Sequence, residues 1–185
     1  IRECAKVLNF EMANTTEMID FALKLKPDYC CIVPEKRDEK TTEGGLILPS
    51  TNTLKFKNFS DNIKKLSNEG IKVSLFIDPN IESVQLSKDL GADIVELHTG
   101  HYANEFNTIN EFEMIDNITS SAEFADKLGL LVNAGHGLNY ENLNQLCKIH
   151  SLNELNIGHS IISQAVFTGL KDAIKKIISI INNCE

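Results

Sequence analysis

Six short apolar runs, each followed by a stretch with apolar residues at helical spacing, account for nearly the whole chain. Val7 to Met12 is the first run, and the pattern over 14–26 predicts a helix with Asn14 or Thr15 as N-cap and Pro27 near its end. Asp28 to Val33 is the second, stopping at Pro34. The connection 34–52 carries Lys36, Arg37, Lys40, Thr41, Thr42, Gly44 and Gly45, and connections of such length are commonly lids or binding loops. A helix over 53–69 repeats Phe56, Phe59, Ile63 and Leu66 and stops at Gly70. Ile71 to Ile77 is the third run, with Asp78-Pro79 and a helix over 80–90 behind it. Ala92 to His98 is the fourth, with the loop Thr99-Gly100-His101-Tyr102 and a helix over 107–128. Leu130 to Asn133 is the fifth, followed by a helix over 140–149. Leu152 to Ile157 is the sixth and runs through Gly158-His159 into a last helix, lined on one face by Leu170, Ala173, Ile174, Ile177, Ile178 and Ile181.

Continuous apolar strands alternating with helices predict a parallel sheet covered on both sides. Two architectures satisfy this: an open doubly wound sheet, or a (β/α)₈ barrel of which the chain holds units three to eight. The strand ends decide between them. They carry Asn9 and Glu11, then Glu35 and Lys36, then Asp78, then Glu96 and His98, then Asn133 and His136, then Asn156 and His159. An open sheet concentrates function at one switch point, whereas a barrel gathers polar groups from many strand ends onto one rim. Six polar strand ends therefore predict the TIM barrel, as a single domain over 1–185, with about the first two βα units absent from this chain. The opening Ile1-Arg2-Glu3-Cys4 reads as the tail of a helix, consistent with chain preceding it. No G-x-G-x-x-G follows the first strand, which argues against a dinucleotide site.

Composition narrows the partners. The net charge of −8, without any basic stripe, argues against a nucleic-acid surface, and an anionic substrate has to be held by local donors. No apolar run reaches the ~18–20 residues of a membrane span, and no secretory pattern opens the chain. The five cysteines include no C-x-x-C pair, and Cys30 and Cys31 sit in an apolar run as small hydrophobes, a usage that predicts a reducing, cytoplasmic compartment.

Two carboxylates and one histidine carry the candidate chemistry. Glu11 and Glu96 each interrupt an apolar strand, where an acid is costly unless paired or used. If they share one pocket, their proton affinities are pushed apart, giving one acid and one base. His136 stands between Gly135 and Gly137 at the end of the fifth run, where glycine lets the backbone turn sharply and approach a ligand. The H-x-x-H spacing of His98 and His101 is not the i, i+4 pair of a helical zinc protease, so no metal is expected.

Several stretches together resemble the pyridoxine 5′-phosphate synthase family, in order and along essentially the whole chain. They are Phe10-Glu11-Met12, Val33-Pro34-Glu35-Lys36-Arg37 with Thr41-Thr42-Glu43-Gly44-Gly45, Ser74-Leu75-Phe76-Ile77-Asp78, Glu96-Leu97-His98-Thr99-Gly100, Val132-Asn133-Ala134-Gly135-His136-Gly137 and Glu154-Leu155-Asn156-Ile157-Gly158-His159. The resemblance implies a (β/α)₈ barrel assembled as a homo-octamer, closing the pyridine ring of vitamin B6 in the deoxyxylulose-dependent pathway. It implies condensation of 3-amino-2-oxopropyl phosphate with 1-deoxy-D-xylulose 5-phosphate to pyridoxine 5′-phosphate, phosphate and water, by general acid/base catalysis and without a cofactor. By the same resemblance Glu11 matches a general base, His136 a proton donor and Glu96 a transition-state stabiliser. Thr41, Gly137, Gly158 and His159 match substrate and phosphate contacts. The family's two upstream units hold a first-strand Asn, an Asp-His pair and a second general-base histidine. Another phosphosugar isomerase, epimerase or lyase, or a non-catalytic barrel using the Ile-rich last helix for assembly, are the alternatives.

Overall fold

The computed structural model describes residues 2–34 and 44–183. Six strands, β1 (Asn9–Met12), β2 (Tyr29–Ile32), β3 (Lys72–Ile77), β4 (Ile94–His98), β5 (Leu131–Gly135) and β6 (Glu154–Asn156), form one parallel sheet in the order β1-β2-β3-β4-β5-β6. The helices between and after them are α1 (Thr16–Leu25), α2 (Leu54–Asn68), α3 (Ile81–Leu90), α4 (Gly100–Glu105), α5 (Glu111–Lys127), α6 (Leu143–Leu146), α7 (His159–Thr168) and α8 (Leu170–Asn182). Residues from both edge strands, Glu11 on β1 and Asn156 on β6, line the same cavity, so the sheet curls toward closure. This is the geometry of six consecutive units of a (β/α)₈ barrel.

Register separates the two faces of the sheet. Ile32↔Leu75, Leu75↔Val95, Ile77↔Leu97, Val95↔Val132 and Leu97↔Ala134 are paired, and all are buried. Opposite them, on the helices, stand Ile19 and Ala22 of α1, Ile63 and Leu66 of α2, Val84 and Leu90 of α3, and Ile118 and Ala122 of α5, all in the same apolar core. The alternate residues point inward and are of another kind: Glu11↔Cys31↔Ser74 and Phe76↔Glu96↔Asn133. A period of two thus puts aliphatic burial outside the sheet and chemistry inside it.

Local signals explain the element ends. Thr15, Thr53 and Asn80 cap α1, α2 and α3 by accepting the backbone N–H of Met18 (3.3 Å), Phe56 (3.1 Å) and Ser83 (2.8 Å). On the opposite rim from the cavity, Asp28 just before β2 accepts the N–H of Leu8, and Asp93 just before β4 accepts that of Val73. Carboxylates at the strand starts tie neighbouring units together, on the face of a barrel that serves stability.

The structure departs from the sequence pattern in four places. Residues 2–4 form a turn, not the tail of a helix. The Gly100–Tyr102 segment, read as loop, opens the short helix α4, which buries Tyr102 and lets its hydroxyl donate to the Asn142 carbonyl at 2.6 Å. The helix expected over 140–149 shrinks to Leu143–Leu146, because the Asn139 side chain accepts the N–H groups of Glu141 and Asn142 and holds a turn there. Gly169, at φ 79°, breaks the last helix into α7 and α8. The apolar face expected on α8 is only part buried: Ala173 and Ile177 enter the core, while Leu170, Ile174, Ile178 and Ile181 stay exposed. No helix among the described residues is long and apolar enough to cross a membrane.

Candidate active site

A cavity of about 620 Å³ opens at the C-terminal ends of the strands, within the size range of small-molecule sites. Glu11 enters it from β1, Glu96 from β4, His136 and Gly137 from the turn after β5, and Gly158 and His159 from the turn after β6. Six of the seven positions singled out in the sequence therefore meet in one space. The seventh, Thr41, lies outside the described residues.

The two carboxylates occupy different environments. Glu11 is exposed at the mouth, whereas Glu96 is buried at 4% exposure. The expected cost of burial thus falls on Glu96, while Glu11 lies open to the cavity. Burial raises the proton affinity of Glu96, and the negative charge of Glu11 across the cavity pushes it the same way. Two donors oppose that rise: Asn156 Nδ2 at 2.7 Å and the thiol of Cys31 at 3.6 Å, both to Oε2. Cys31 stays a thiol, because burial and then the charge of Glu96 push its own proton affinity far up. By sequence alone Cys31 reads as a plain small hydrophobe. Its neighbour Cys30 is one, while the strand alternation turns Cys31 inward onto the carboxylate.

Gly135 leaves the space that Glu96 fills. A Cβ there would stand 2.6 Å from Glu96 Oε1 and 3.0 Å from the Asn156 carbonyl. Gly135→Ala is expected to fold but to displace the carboxylate and its Asn156 partner, lowering turnover about 100-fold through misplacement alone. Comparison of kcat with the thermal midpoint checks this, since a pure packing defect would lower stability without a selective loss of kcat.

The turn that presents His136 is strained at the histidine itself. His136 has φ 84° and Gly137 φ 75°. Of the two flanking glycines expected to allow the sharp turn, Gly137 takes positive φ and Gly135 does not, and His136 shares the turn. A left-handed histidine is uncommon and is held only where its surroundings fix it. They do so here: the buried Thr99 hydroxyl lies 2.7 and 2.6 Å from the carbonyls of Gly135 and His136, and Asn142 Nδ2 donates to the Gly137 carbonyl at 3.1 Å. At the next strand end Gly158 has nothing within 4 Å of where its Cβ would be, and α7 starts at His159 without any side-chain cap. Gly158, His159 and Ser160 at the start of α7 line the cavity, and the uncapped start of a helix suits an anion.

Behind His136 stands a second polar group, which joins the strand-end residues Asp78 and His98 to His101. Asp78, His98 and His101 bring ligand-type atoms within 4.8 Å of one another. Four-coordinate zinc spaces its nitrogen and oxygen ligands roughly 3.4 Å apart, and here Asp78 Oδ1 and His98 Nδ1 are already joined by a hydrogen bond of 3.1 Å. Only contact across three different elements reveals this group; spacing along the chain does not.

The family described as "Pyridoxal phosphate biosynthesis protein PdxJ" matches residues 1–183. The pyridoxine 5′-phosphate synthase of Akkermansia muciniphila is 48% identical over 170 residues, 91% of this chain and 67% of that protein. That of Coxiella burnetii is 45% identical over 185 residues, 100% of this chain and 75% of that protein. Among solved structures, 3-keto-L-gulonate-6-phosphate decarboxylase from Vibrio cholerae is similar at a TM-score of 0.62 and 12% identity, over 97% of this chain and 73% of that one. A native KDPGal structure gives 0.58 at 12% identity, over 93% of this chain and 68% of that one. At such identities these two likenesses carry the barrel fold alone.

Proposed function

Because the chain belongs to the family of PdxJ pyridoxal phosphate biosynthesis proteins, we propose that its cavity condenses 3-amino-2-oxopropyl phosphate with 1-deoxy-D-xylulose 5-phosphate to pyridoxine 5′-phosphate, releasing phosphate and water. One observation carries the assignment: Glu11, Glu96, His136, Gly137, Gly158 and His159 converge on one cavity although they come from four strand ends.

Imine formation, elimination and ring closure each move protons, and each transfer needs a group able to give or take one near neutral pH. Glu11, exposed to the cavity, is the general base. His136, at the rim on its strained turn, is the proton donor that makes hydroxyl and phosphate oxygens better leaving groups. Glu96, buried and held by Asn156 and Cys31, stabilises charge as it develops. Backbone N–H groups at Gly137 and at the uncapped start of α7, with the His159 side chain, hold a substrate phosphate. Thr41 belongs to the contacts of the deoxyxylulose phosphate, and 1–185 forms units three to eight of a single barrel domain. The protein works in the cytoplasm as a homo-octamer, a reading supported by the family resemblance.

Incubation of the purified protein with both phosphorylated substrates is expected to yield pyridoxine 5′-phosphate and inorganic phosphate in equal amounts. A folded protein that forms neither sinks the proposal.

A further inference from the structure

Asp78 follows β3 directly and meets two partners through a single oxygen. Its Oδ1 accepts the N–H of Gly45 at 2.9 Å and lies 3.1 Å from His98 Nδ1. Gly45 rests on the end of β3, where a Cβ would run into the backbone of Ile77 and Asp78, and the next residue, Leu46, donates its N–H to the Phe76 carbonyl at 2.8 Å. The hydrogen bond from His98 and the N–H of Gly45 hold the Asp78 carboxyl below the ordinary carboxylate range. An ionised carboxylate only accepts, so His98 Nδ1 carries the shared proton, and a buried Nε2 with no acceptor to receive an N–H is assigned the lone pair.

That nitrogen lies beside the proton donor. The His98 side chain is wholly buried and its Nε2 has no hydrogen-bond partner among the described residues. The His98 and His136 rings lie 5.0 Å apart, centroid to centroid. Between them is Gly100, whose missing Cβ would stand 2.5 Å from His98 Nε2 and 2.9 Å from His136 Cδ2. His98 Nε2 and the Cδ2 edge of His136 thus lie close about one point. A lone pair against that edge favours the protonated His136 ring, while an N–H in the same place opposes it.

We propose that Asp78 is a positioning residue: it fixes His98 in the Nδ1–H form, which favours protonated His136, and ties this to the seating of the segment at Gly45 and Leu46. The inference rests on the reading of His136 as proton donor, though its physical core can be tested without substrate. Glu11, Glu96 and His159 share the cavity with His136, and Asp78 and His101 flank His98, so these groups set the background charge against which the effect is read.

The test is nitrogen-15 NMR of the histidine side chains in the parent protein, in Asp78→Ala and in Asp89→Ala, a carboxylate removed from the surface of α3. In the parent, His98 is expected as the Nδ1–H tautomer. In Asp78→Ala that tautomer is lost and the His136 titration midpoint falls, while Asp89→Ala moves neither. In the condensation assay Asp78→Ala is expected to lose roughly 10–100-fold in kcat, in the manner of lost orienting partners. An Nε2–H tautomer for His98 in the parent overturns the inference, and needs no variant to fold. An unmoved His136 midpoint in a folded Asp78→Ala overturns it as well. If the parent makes no pyridoxine 5′-phosphate, the functional reading fails, and the tautomer and midpoint still decide this one.

Discussion

His136→Asn is expected to lower turnover of the condensation about 10²–10⁴-fold, the range that a lost general acid costs, with the fold unchanged. Asn keeps a polar side chain of similar reach but cannot deliver a proton at neutral pH. It also tolerates the left-handed backbone better than most residues, so the turn at φ 84° survives the exchange. His136→Gly separates the two roles of the position further. Glycine relieves the strain of the left-handed conformation, and the variant is expected to be inactive yet more stable, by about 1 kcal/mol. Initial rates at saturating substrate, set beside urea unfolding midpoints, check both. A His136→Gly protein that unfolds more easily than the parent would show that the histidine side chain, not the surrounding fold, holds the turn.

Glu96→Gln is expected to pull activity and stability in opposite directions. Turnover falls about 10²–10³-fold, as when one preorganised electrostatic group is removed. Stability at neutral pH rises. The sign follows from linkage. The proton affinity of Glu96 is raised in the folded state above its ordinary pKa of 4.5, so the folded protein binds this proton more tightly than the unfolded chain. The stability Glu96 contributes is whole below about 4.5 and is lost as pH rises through its folded pKa. Gln carries no such titration, so the variant gains on the parent as pH climbs above 4.5, and the gap closes below it. Unfolding midpoints of both proteins at several pH values measure the gap directly. A gap that is constant with pH would mean that Glu96 is not the titrating group.

The strands and their inward polar ends were legible in the sequence because burial on both faces demands continuous apolar runs, and the carboxylates stand out as breaks in them. The phase of each strand was legible where a charged residue marked it, as at Glu11 and Glu96. It was not legible at Cys30-Cys31, where both residues suit an apolar core and only pairing with β1 and β3 decides which one faces Glu96. The strain at His136 was hidden for a related reason: two flanking glycines offer an easier place for the turn, and it is the clamp from Thr99 and Asn142 that moves it onto the histidine. The loss of the helix at 140–142 turned on the side chain of Asn139, a local competition that apolar periodicity does not register.

The strand order β1 to β6 follows the chain without a crossing, so each strand hydrogen-bonds only to its neighbours in sequence. Such a sheet is built from pairings between successive βα units, each closed by its own crossover, as Tyr29 with Lys72. The cavity is the exception. It needs Glu11 from the first strand and His159 from beyond the last, and those two meet only when the whole sheet has curled round. During refolding, helical signal and most of the strand pairing can therefore be in place while no site exists. Recovery of activity reports the final closure step, and a variant that slows that step alone makes a protein with native-looking secondary structure and no chemistry.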